Sequence, residues 1–207
     1  MTNILTQDFG LLLNLPITTQ RLSLEPLVAA HADILYKSLC DERIYRWIES
    51  GGPKDLSHLR LKWQRNEARL SADGKEVLLN WAIRLRNEGP YIGKLDAELD
   101  SPTNVTNVGF VFFPEHWGHG YATESLLAVI TILAENGISF MRATVSTPNI
   151  ASARVLEKAG FIRGDLVADE IDTHEFTLAI PKESISTAQQ QGGGYSPPAA
   201  RPSKPTP

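Results

Sequence analysis

Seven short segments of the chain alternate apolar and polar residues or carry apolar runs, which is typical of β-strands with buried faces. In chain order they are 21–27, 78–86, 91–99, 105–113, 142–147, 161–164 and 174–180. Four other segments repeat their apolar residues every three or four positions, which predicts amphipathic helices. These are 31–39, 55–70, a segment that starts at Gly120, and 150–159. The apolar residues of the segment from Gly120 are Ala122, Leu126, Val129 or Ile130, and Leu133.

Turn residues separate these segments. The short links Asn87–Pro90 and 101–104 favour antiparallel neighbours, so the three strands from 78 to 113 form a meander and not repeated βαβ units. Asn136–Gly137 ends one helix, whereas Asn149 caps the next helix and Gly160 ends it. The order of elements predicts an α+β fold with a mixed, mostly antiparallel central sheet flanked by helices.

The composition divides the chain into three parts. Residues 17–186 are long enough to form one well-buried domain. Residues 1–16 are predicted to be a loosely docked N-terminal arm. Residues 187–207 are rich in Pro, Gly and Gln and poor in core-forming residues, so we expect a disordered tail.

Charge and apolar content restrict the environment and the partners. The formal net charge is -4, which argues against nucleic acid and anionic membranes as partners of the whole molecule. No apolar run approaches the ~20 residues that a membrane span requires, and the start lacks a signal-peptide pattern, so a cytoplasmic protein is expected. Cys40 is the single cysteine, which excludes an internal disulfide, and Leu35 and Leu39 nearby predict that it is buried.

The segment PEHWGHGYATES, residues 114–125, places Gly118 and Gly120 where a strand gives way to a helix. Glycine permits unusual dihedrals or a close approach to the backbone, and the unpaired amides of a first helical turn favour an anion. A P-loop would need a lysine that this segment lacks. A dinucleotide fingerprint would need a small residue at Thr123 and an acidic residue in 143–148, so both interpretations are rejected.

WGHGYA, residues 117–122, resembles the pyrophosphate loop Q/R-x-x-G-x-G/A of the GNAT superfamily of acetyl-coenzyme A-dependent N-acetyltransferases, although Trp117 replaces the Q/R residue. STPNIASARVLEKAGF, residues 146–161, resembles the second coenzyme motif of that superfamily. The similarity extends over roughly residues 19–180. WGHGYATE followed by N-x-x-S is most similar to the branch that includes ribosomal-protein N-terminal acetyltransferases.

This resemblance implies acetyl-CoA as cosubstrate, no metal, and a sheet that is splayed at the coenzyme site. The backbone amides of 118–123 would hold the pyrophosphate, and the main chain of 110–113 would hold the pantetheine arm. The alternatives are that the glycines only shape a corner and that the exposed helix charges are unrelated to the coenzyme. The implied coenzyme contacts are Phe110, Phe112, Phe113, Trp117, Gly118, His119, Gly120, Tyr121, Ala122, Thr123, Asn149, Ser152, Arg154 and Lys158.

Acetyl transfer to an amine needs a neutral amine, a fixed donor for the charge on the thioester oxygen, and a proton for the leaving thiolate. We expect the backbone N–H of Phe112 to be the donor. The tyrosine that the family often uses as the acid is replaced by Leu156, and the resemblance to the ribosomal-protein branch points to Ser152 instead. The alternative is that Ser152 is merely a first-turn residue beside Asn149.

The same branch implies Glu170 as the general base, after the Gly-Phe that closes the second motif. A carboxylate that acts through a water would suffice, as would an electronegative cleft that favours the neutral amine. Several other ionisable residues remain as alternatives. They are His174, Glu115, His116, Asp96 and Glu98.

The segment 41–53 contains Tyr45, Trp47 and a Gly-Gly-Pro turn and is predicted to form one wall of the acceptor cleft, unless its aromatics only pack between helices. The predicted function is transfer of acetyl from acetyl-CoA to a primary amine of a peptide N-terminus or a small molecule, by direct attack in a ternary complex. The alternative is an acyl-CoA-binding regulatory or interaction module without turnover. Monomer and homodimer both remain open.

Overall fold

The computed structural model describes residues 7–100, 103–167 and 172–181 of the chain. It contains eight strands in those ranges, which are β1 Ile17–Thr18, β2 Leu22–Pro26, β3 Glu76–Leu85, β4 Tyr91–Asp100, β5 Val105–Phe112, β6 Phe140–Ser146, β7 Ile162–Leu166 and β8 Thr173–Ala179. The α-helices there are α1 Gln7–Leu13, α2 His31–Leu39, α3 Leu56–Asn66, α4 Tyr121–Glu135 and α5 Ile150–Lys158. Two 3-10 helices cover Glu42–Trp47 and Pro114–His116.

The strands form one mixed sheet in the order β1-β2-β3-β4-β5-β6-β8-β7. Every neighbouring pair is antiparallel except β5 and β6, which are parallel. The central meander β3–β4–β5 is held together by short turns, as the sequence predicted. The prediction of an α+β fold with a mostly antiparallel sheet is confirmed.

Strand β4 has apolar side chains on one face of the sheet and polar side chains on the other. In β4, Leu95, Ala97 and Leu99 are buried in the larger hydrophobic cluster, whereas Asp96 and Glu98 point to the other face. Helices α1, α4 and α5 add side chains to the larger cluster. A smaller cluster joins α2, α3 and the first 3-10 helix to the opposite face of the sheet.

The N-terminal arm is firmly docked over its described part, so the prediction of a loose arm is wrong for residues 7–16. Leu13 is completely buried in the larger cluster. The Asn14 side chain donates to the Asn80 carbonyl at 3.2 Å, and the Trp81 indole donates to the Leu15 carbonyl at 2.9 Å. These bonds attach the arm to β3, which explains why so short an amphipathic segment is ordered.

Two further local predictions are wrong. The helix predicted for 55–70 ends at Asn66, because Leu70 turns back to form a β-bridge with Val77. Cys40 follows the end of α2 and is exposed, although Leu35 and Leu39 are buried. The predicted tail and Glu170 lie outside the described residues. Within the described residues, no helix combines the length and apolarity needed to cross a bilayer.

Replacing Leu13 by alanine tests the docking of the arm. We expect Leu13→Ala to lower the free energy of unfolding by about 2–5 kcal/mol, because it leaves a cavity under a fully buried side chain. Leu12 in the same helix is 58% exposed, so Leu12→Ala is the matched control and should change stability by less than about 0.5 kcal/mol. Urea unfolding measures both values, and equal effects would mean that the arm does not pack as described.

Candidate functional site

A gap opens in the sheet where β5 and β6 stop pairing. The two strands are in register only at Thr106 with Met141 and Asn107 with Arg142. The Phe113 N–H donates to the Ile92 carbonyl of β4 at 2.9 Å. Because neighbouring main-chain groups point to opposite sides of a strand, the N–H groups of Phe112 and Phe110 face the gap. The gap therefore offers backbone donors that β6 does not use.

The end of β5 differs in part from the sequence prediction. Phe113 is unsuitable as a backbone ligand contact, because its N–H bonds to Ile92 and its carbonyl accepts from the His116 N–H at 2.9 Å. The Phe112 carbonyl accepts a hydrogen bond from the Trp117 indole at 2.7 Å. Trp117 thus fixes the last peptide group of the strand. The Phe112 N–H remains directed into the gap.

The glycine turn continues from this point into α4. Gly118 and Gly120 have φ values of 78° and 79°, a left-handed conformation that side chains with a Cβ rarely adopt. No atom of the described residues lies within 4 Å of a Cβ built on Gly118. The backbone N–H groups of residues 118–123 have no acceptor in the described part of the chain, and the first helical bond begins at Glu124. The turn thus presents six free donors at the positive end of a helix.

Arg21 and Glu124 attach this turn to the first strands. Glu124 accepts hydrogen bonds from the Thr19 hydroxyl at 2.6 Å, the Arg21 backbone N–H at 2.9 Å and the Arg21 Nε at 2.6 Å. The same guanidinium donates to the His119 carbonyl at 3.0 Å and lies over the Tyr121 ring. Partial burial acts to raise the pKa of Glu124, but these hydrogen bonds outweigh it and hold that pKa below its ordinary value.

Of the two basic residues of α5 that were predicted to contact the coenzyme, only Lys158 lies beside the glycine turn. Lys158 lines a groove of about 420 Å³ together with Gly120 and Thr123, so it lies beside the start of α4. Arg154 is exposed and lines neither this groove nor the larger cleft described next.

Asn149 and Ser152 stand at the start of α5. The Asn149 side chain accepts from the Ser152 backbone N–H at 3.2 Å, which confirms the predicted cap. The Ser152 hydroxyl has no hydrogen-bond partner among the residues that the structure describes, and both side chains border the cleft. Leu156 is completely buried one turn later.

A cleft of about 830 Å³ runs from the gap across the face of β4 and β5 beneath α3. The end of the first 3-10 helix and the segment after it, residues 47–54, line the cleft, and the Ser146 hydroxyl donates to the Trp47 carbonyl at 3.4 Å. Tyr45, Trp47 and the Gly51–Pro53 turn all line the cleft, so the structure places the predicted acceptor wall beside it.

The floor of the cleft carries a hydrogen-bonded polar chain. The Asn66 amide donates to the Asn80 side-chain oxygen at 3.2 Å, and the Asn80 amide donates to Asp96 at 2.8 Å. Asp96 also forms an ion pair with Lys94. Glu98 lines the same cleft, and the loss of water around it, followed by the charges of Asp96 and Glu76, raises the pKa of Glu98.

The residues predicted as alternatives for the general base lie in different parts of the structure. Asp96 and Glu98 line the cleft. The exposed Glu115 pairs with Arg43 at 3.1 Å, and a ring nitrogen of His174 bonds to the Gly164 carbonyl at 3.1 Å. His116 does not line the cleft, and Glu170 lies outside the described residues. In the described part of the chain no group of three or more potential metal ligands is found.

Comparison with known families decides the class of this protein. The family described as "Acetyltransferase (GNAT) domain" matches residues 21–162, which is more than half of the chain. The chain belongs to the GNAT family. It is therefore an N-acetyltransferase of the acetyl-CoA-dependent kind, and the family assignment made from the two motifs is confirmed.

Individual relatives share the GNAT fold at low sequence identity. The "Uncharacterized N-acetyltransferase YoaA" of Bacillus subtilis is 22% identical, over 81% of this chain and 98% of its own length. A structure described as RimL, a ribosomal L7/L12 alpha-N-protein acetyltransferase in complex with coenzyme A, has a TM-score of 0.69 and 18% identity, over 81% of this chain and 99% of that one. The aminoglycoside acetyltransferase AAC(6')-Ib with coenzyme A has a TM-score of 0.64 and 15% identity, over 81% and 99%.

The polar chain on the cleft floor of this GNAT protein was not predicted from the sequence. Asn66, Asn80 and Lys94 belong to no motif, and each comes from a different element. The alternation in β4 was the available signal, because Lys94, Asp96 and Glu98 form a polar row opposite a buried one. The brace between Arg21 and Glu124 left no signal, since the two residues are 103 positions apart.

The Glu124→Gln variant tests the brace at the glycine turn of this GNAT protein. Since folding lowers the pKa of Glu124, its carboxylate contributes stability above the unfolded value of about 4.3, and this contribution is lost as the pH falls through the lower folded value. We expect the variant to be less stable at pH 7 by about 2 kcal/mol, with the difference shrinking at acid pH. Thermal unfolding at several pH values measures this, and a constant difference would contradict it.

Proposed function

We propose that this GNAT protein transfers an acetyl group from acetyl-CoA to a primary amine, by direct attack of the amine within a ternary complex. One observation carries the proposal. The free amides of the glycine turn follow directly after the end of β5, and the large cleft is lined by residues of β5 and β6 beyond their last paired positions, so both adjoin the same gap. A two-substrate transfer needs such a meeting point, because much of its acceleration comes from holding the reactants together.

The residues present fit the coenzyme. Free N–H groups at 118–123 and the positive end of α4 suit a diphosphate, and the open space beside Gly118 permits its close approach. Lys158 in the adjoining groove supplies a positive charge. The unpaired main-chain groups of Phe110 suit the amides of a pantetheine arm, and the Phe112 N–H faces the same gap. Acetyl-CoA would supply a thioester, which carries the acetyl group on a good leaving group.

The Phe112 N–H is the proposed donor to the acetyl carbonyl oxygen. It faces the gap. The peptide group that joins Phe112 to Phe113 is fixed on both sides, because its N–H donates to Ile92 and its carbonyl accepts from Trp117. A donor held in this way needs no reorganisation as negative charge grows on the oxygen.

Ser152 is the proposed source of the proton for the departing thiolate. Its hydroxyl borders the cleft without a partner among the described residues, and its backbone is held by Asn149. The buried Leu156 has no ionisable group to offer in its place. Glu170 remains the proposed general base by family resemblance.

The acceptor is proposed to enter through the cleft and not through the glycine turn. Relatives of the same fold are described as acting on a ribosomal protein N-terminus and on aminoglycosides, and both are amines. The cleft of this chain combines the aromatic residues Tyr45, Trp47 and Trp63 with carboxylates on its floor, which suits an amine attached to an apolar or peptide chain.

Calorimetry with acetyl-CoA and an assay of free thiol with an amine panel test this function. We expect binding and thiol release, and expect Gly120→Glu to weaken acetyl-CoA binding at least tenfold, since it adds bulk and negative charge at the diphosphate site. The matched control is Gly137→Glu at the other end of α4. Gly137 has a φ of 87° and nothing within 4 Å, so backbone strain is similar while affinity should be retained.

Two results would contradict the proposal in different ways. Unchanged acetyl-CoA affinity in Gly120→Glu would remove the diphosphate site from the glycine turn. Tight binding without thiol release for any amine would favour the alternative of an acyl-CoA-binding module without turnover.

The Ser152→Ala variant separates proton donation from binding. We expect kcat to fall by about 10²-fold with little change in acetyl-CoA affinity, because the hydroxyl and not the backbone is removed. A thiol-release assay gives kcat and calorimetry gives the affinity. The thermal midpoint is the control and should stay unchanged, since the hydroxyl bonds to none of the described residues. An undiminished kcat would exclude Ser152 as the acid.

A further inference from the structure

The cleft extends well beyond the gap, along the row of polar side chains on β4. The register places Lys94 opposite Val111, Asp96 opposite Gly109 and Glu98 opposite Asn107. All three polar side chains line the cleft. Gly109 is exposed, and nothing lies within 4 Å of a Cβ built on it, so the floor is open between the gap and Glu98.

Two carboxylates on this floor differ in their partners. Asp96 is held by the Asn80 amide and by the ammonium group of Lys94. Glu98 forms no hydrogen bond or ion pair within the residues that the structure describes. Its charged neighbours are Asp96 and Glu76 on the acidic side and Lys94 and Lys62 on the basic side. Asp96 therefore belongs to the framework of the cleft, whereas Glu98 is available to a ligand.

The distance between Glu98 and the Phe112 N–H limits the role that Glu98 is able to have. Asn107, its partner in the register, and Phe112 are five residues apart on β5, which corresponds to about 17 Å at the strand rise per residue. An amine that attacks beside the Phe112 N–H is therefore too far from Glu98 for direct proton transfer, which needs hydrogen-bond contact. Glu98 lies where a more distant part of the same acceptor would pass.

We propose that Glu98 binds a second positive charge of the acceptor, so that the preferred substrates are amines with another cationic group roughly 10–15 Å from the acetylated nitrogen. This inference rests on the proposed function for the position of the acetylated nitrogen. Trp63 and Tyr45 border the path between the two points and suit an apolar linker. The distal ammonium would find an accessible carboxylate on the cleft floor that has no hydrogen-bond or ion-pair partner among the described residues. Opposite charges in contact at a protein surface attract each other more strongly than in bulk water.

A polyamine and a peptide with a basic side chain share this chemistry, and two arms of the experiment distinguish them. The first arm compares a linear triamine with a monoamine of equal length. The second compares the peptide Ser-Ala-Ala-Lys with Ser-Ala-Ala-Gln and Ser-Ala-Ala-Glu. Acceptor binding is measured by calorimetry in the presence of coenzyme A, and KM and kcat are measured by thiol release. The arm with the lower Kd identifies the source of the cation.

For the wild-type protein we expect the cationic member of at least one arm to bind about tenfold more tightly than its neutral partner. The Glu98→Gln variant should remove this preference, raise KM for cationic acceptors about tenfold, and leave kcat and the neutral acceptors unchanged. The matched control is Glu76→Gln, which removes an equal charge near Glu98 but outside the cleft lining. It should retain most of the preference.

Several outcomes would overturn the inference. Equal binding of cationic and neutral acceptors, or tighter binding of Ser-Ala-Ala-Glu, would exclude a cation site at Glu98. If Glu76→Gln lost the preference for cationic acceptors to the same extent, the preference would come from the overall negative charge around the cleft and not from Glu98. A fall of kcat for all acceptors in Glu98→Gln would assign the residue to proton transfer. Absence of thiol release would contradict only the proposed function, because the calorimetric comparison tests Glu98 without turnover.

Discussion

The arrangement of the gap, the glycine turn and the cleft depends on the early end of pairing between β5 and β6. The meander β3–β4–β5 pairs along nearly its whole length, but beyond Asn107 the N–H groups of β5 on the side of β6 lose their partner strand. Unpaired backbone groups are costly when they are cut off from water. The gap is tolerable because it opens into a wide cleft, and the same exposure makes its donors available to substrates.

Two braces hold the main chain around this gap. The Trp117 indole fixes the Phe112 carbonyl, and Arg21 with Glu124 fixes the turn that leads into α4. Both use side chains to immobilise backbone groups beside the gap. Such support is needed because backbone donors stabilise developing charge only when they are already oriented.

The polar side chains that line the cleft are of two kinds: some are hydrogen-bonded to one another, and others are free to bind a ligand. The chain from Asn66 through Asn80 and Asp96 to Lys94 pairs its members with one another, as polar groups in confined surroundings must. Glu98 and the Ser152 hydroxyl lack such partners within the described residues. Unsatisfied polar groups that line a large cleft are the natural candidates for contact with a ligand.

The sequence by itself determined the order of the strands and α-helices from β2 to β8, the α+β class, the glycine turn and the Asn149 cap, because each depends on residues that are close in the chain. Only the tertiary structure decided that residues 7–16 of the arm are docked, that Leu70 lies outside the helix predicted for it and that Cys40 is exposed. It also decided which carboxylates share the cleft and that Trp117 turns back to β5. Those features depend on contacts between distant segments, and spacing along a chain does not specify such contacts.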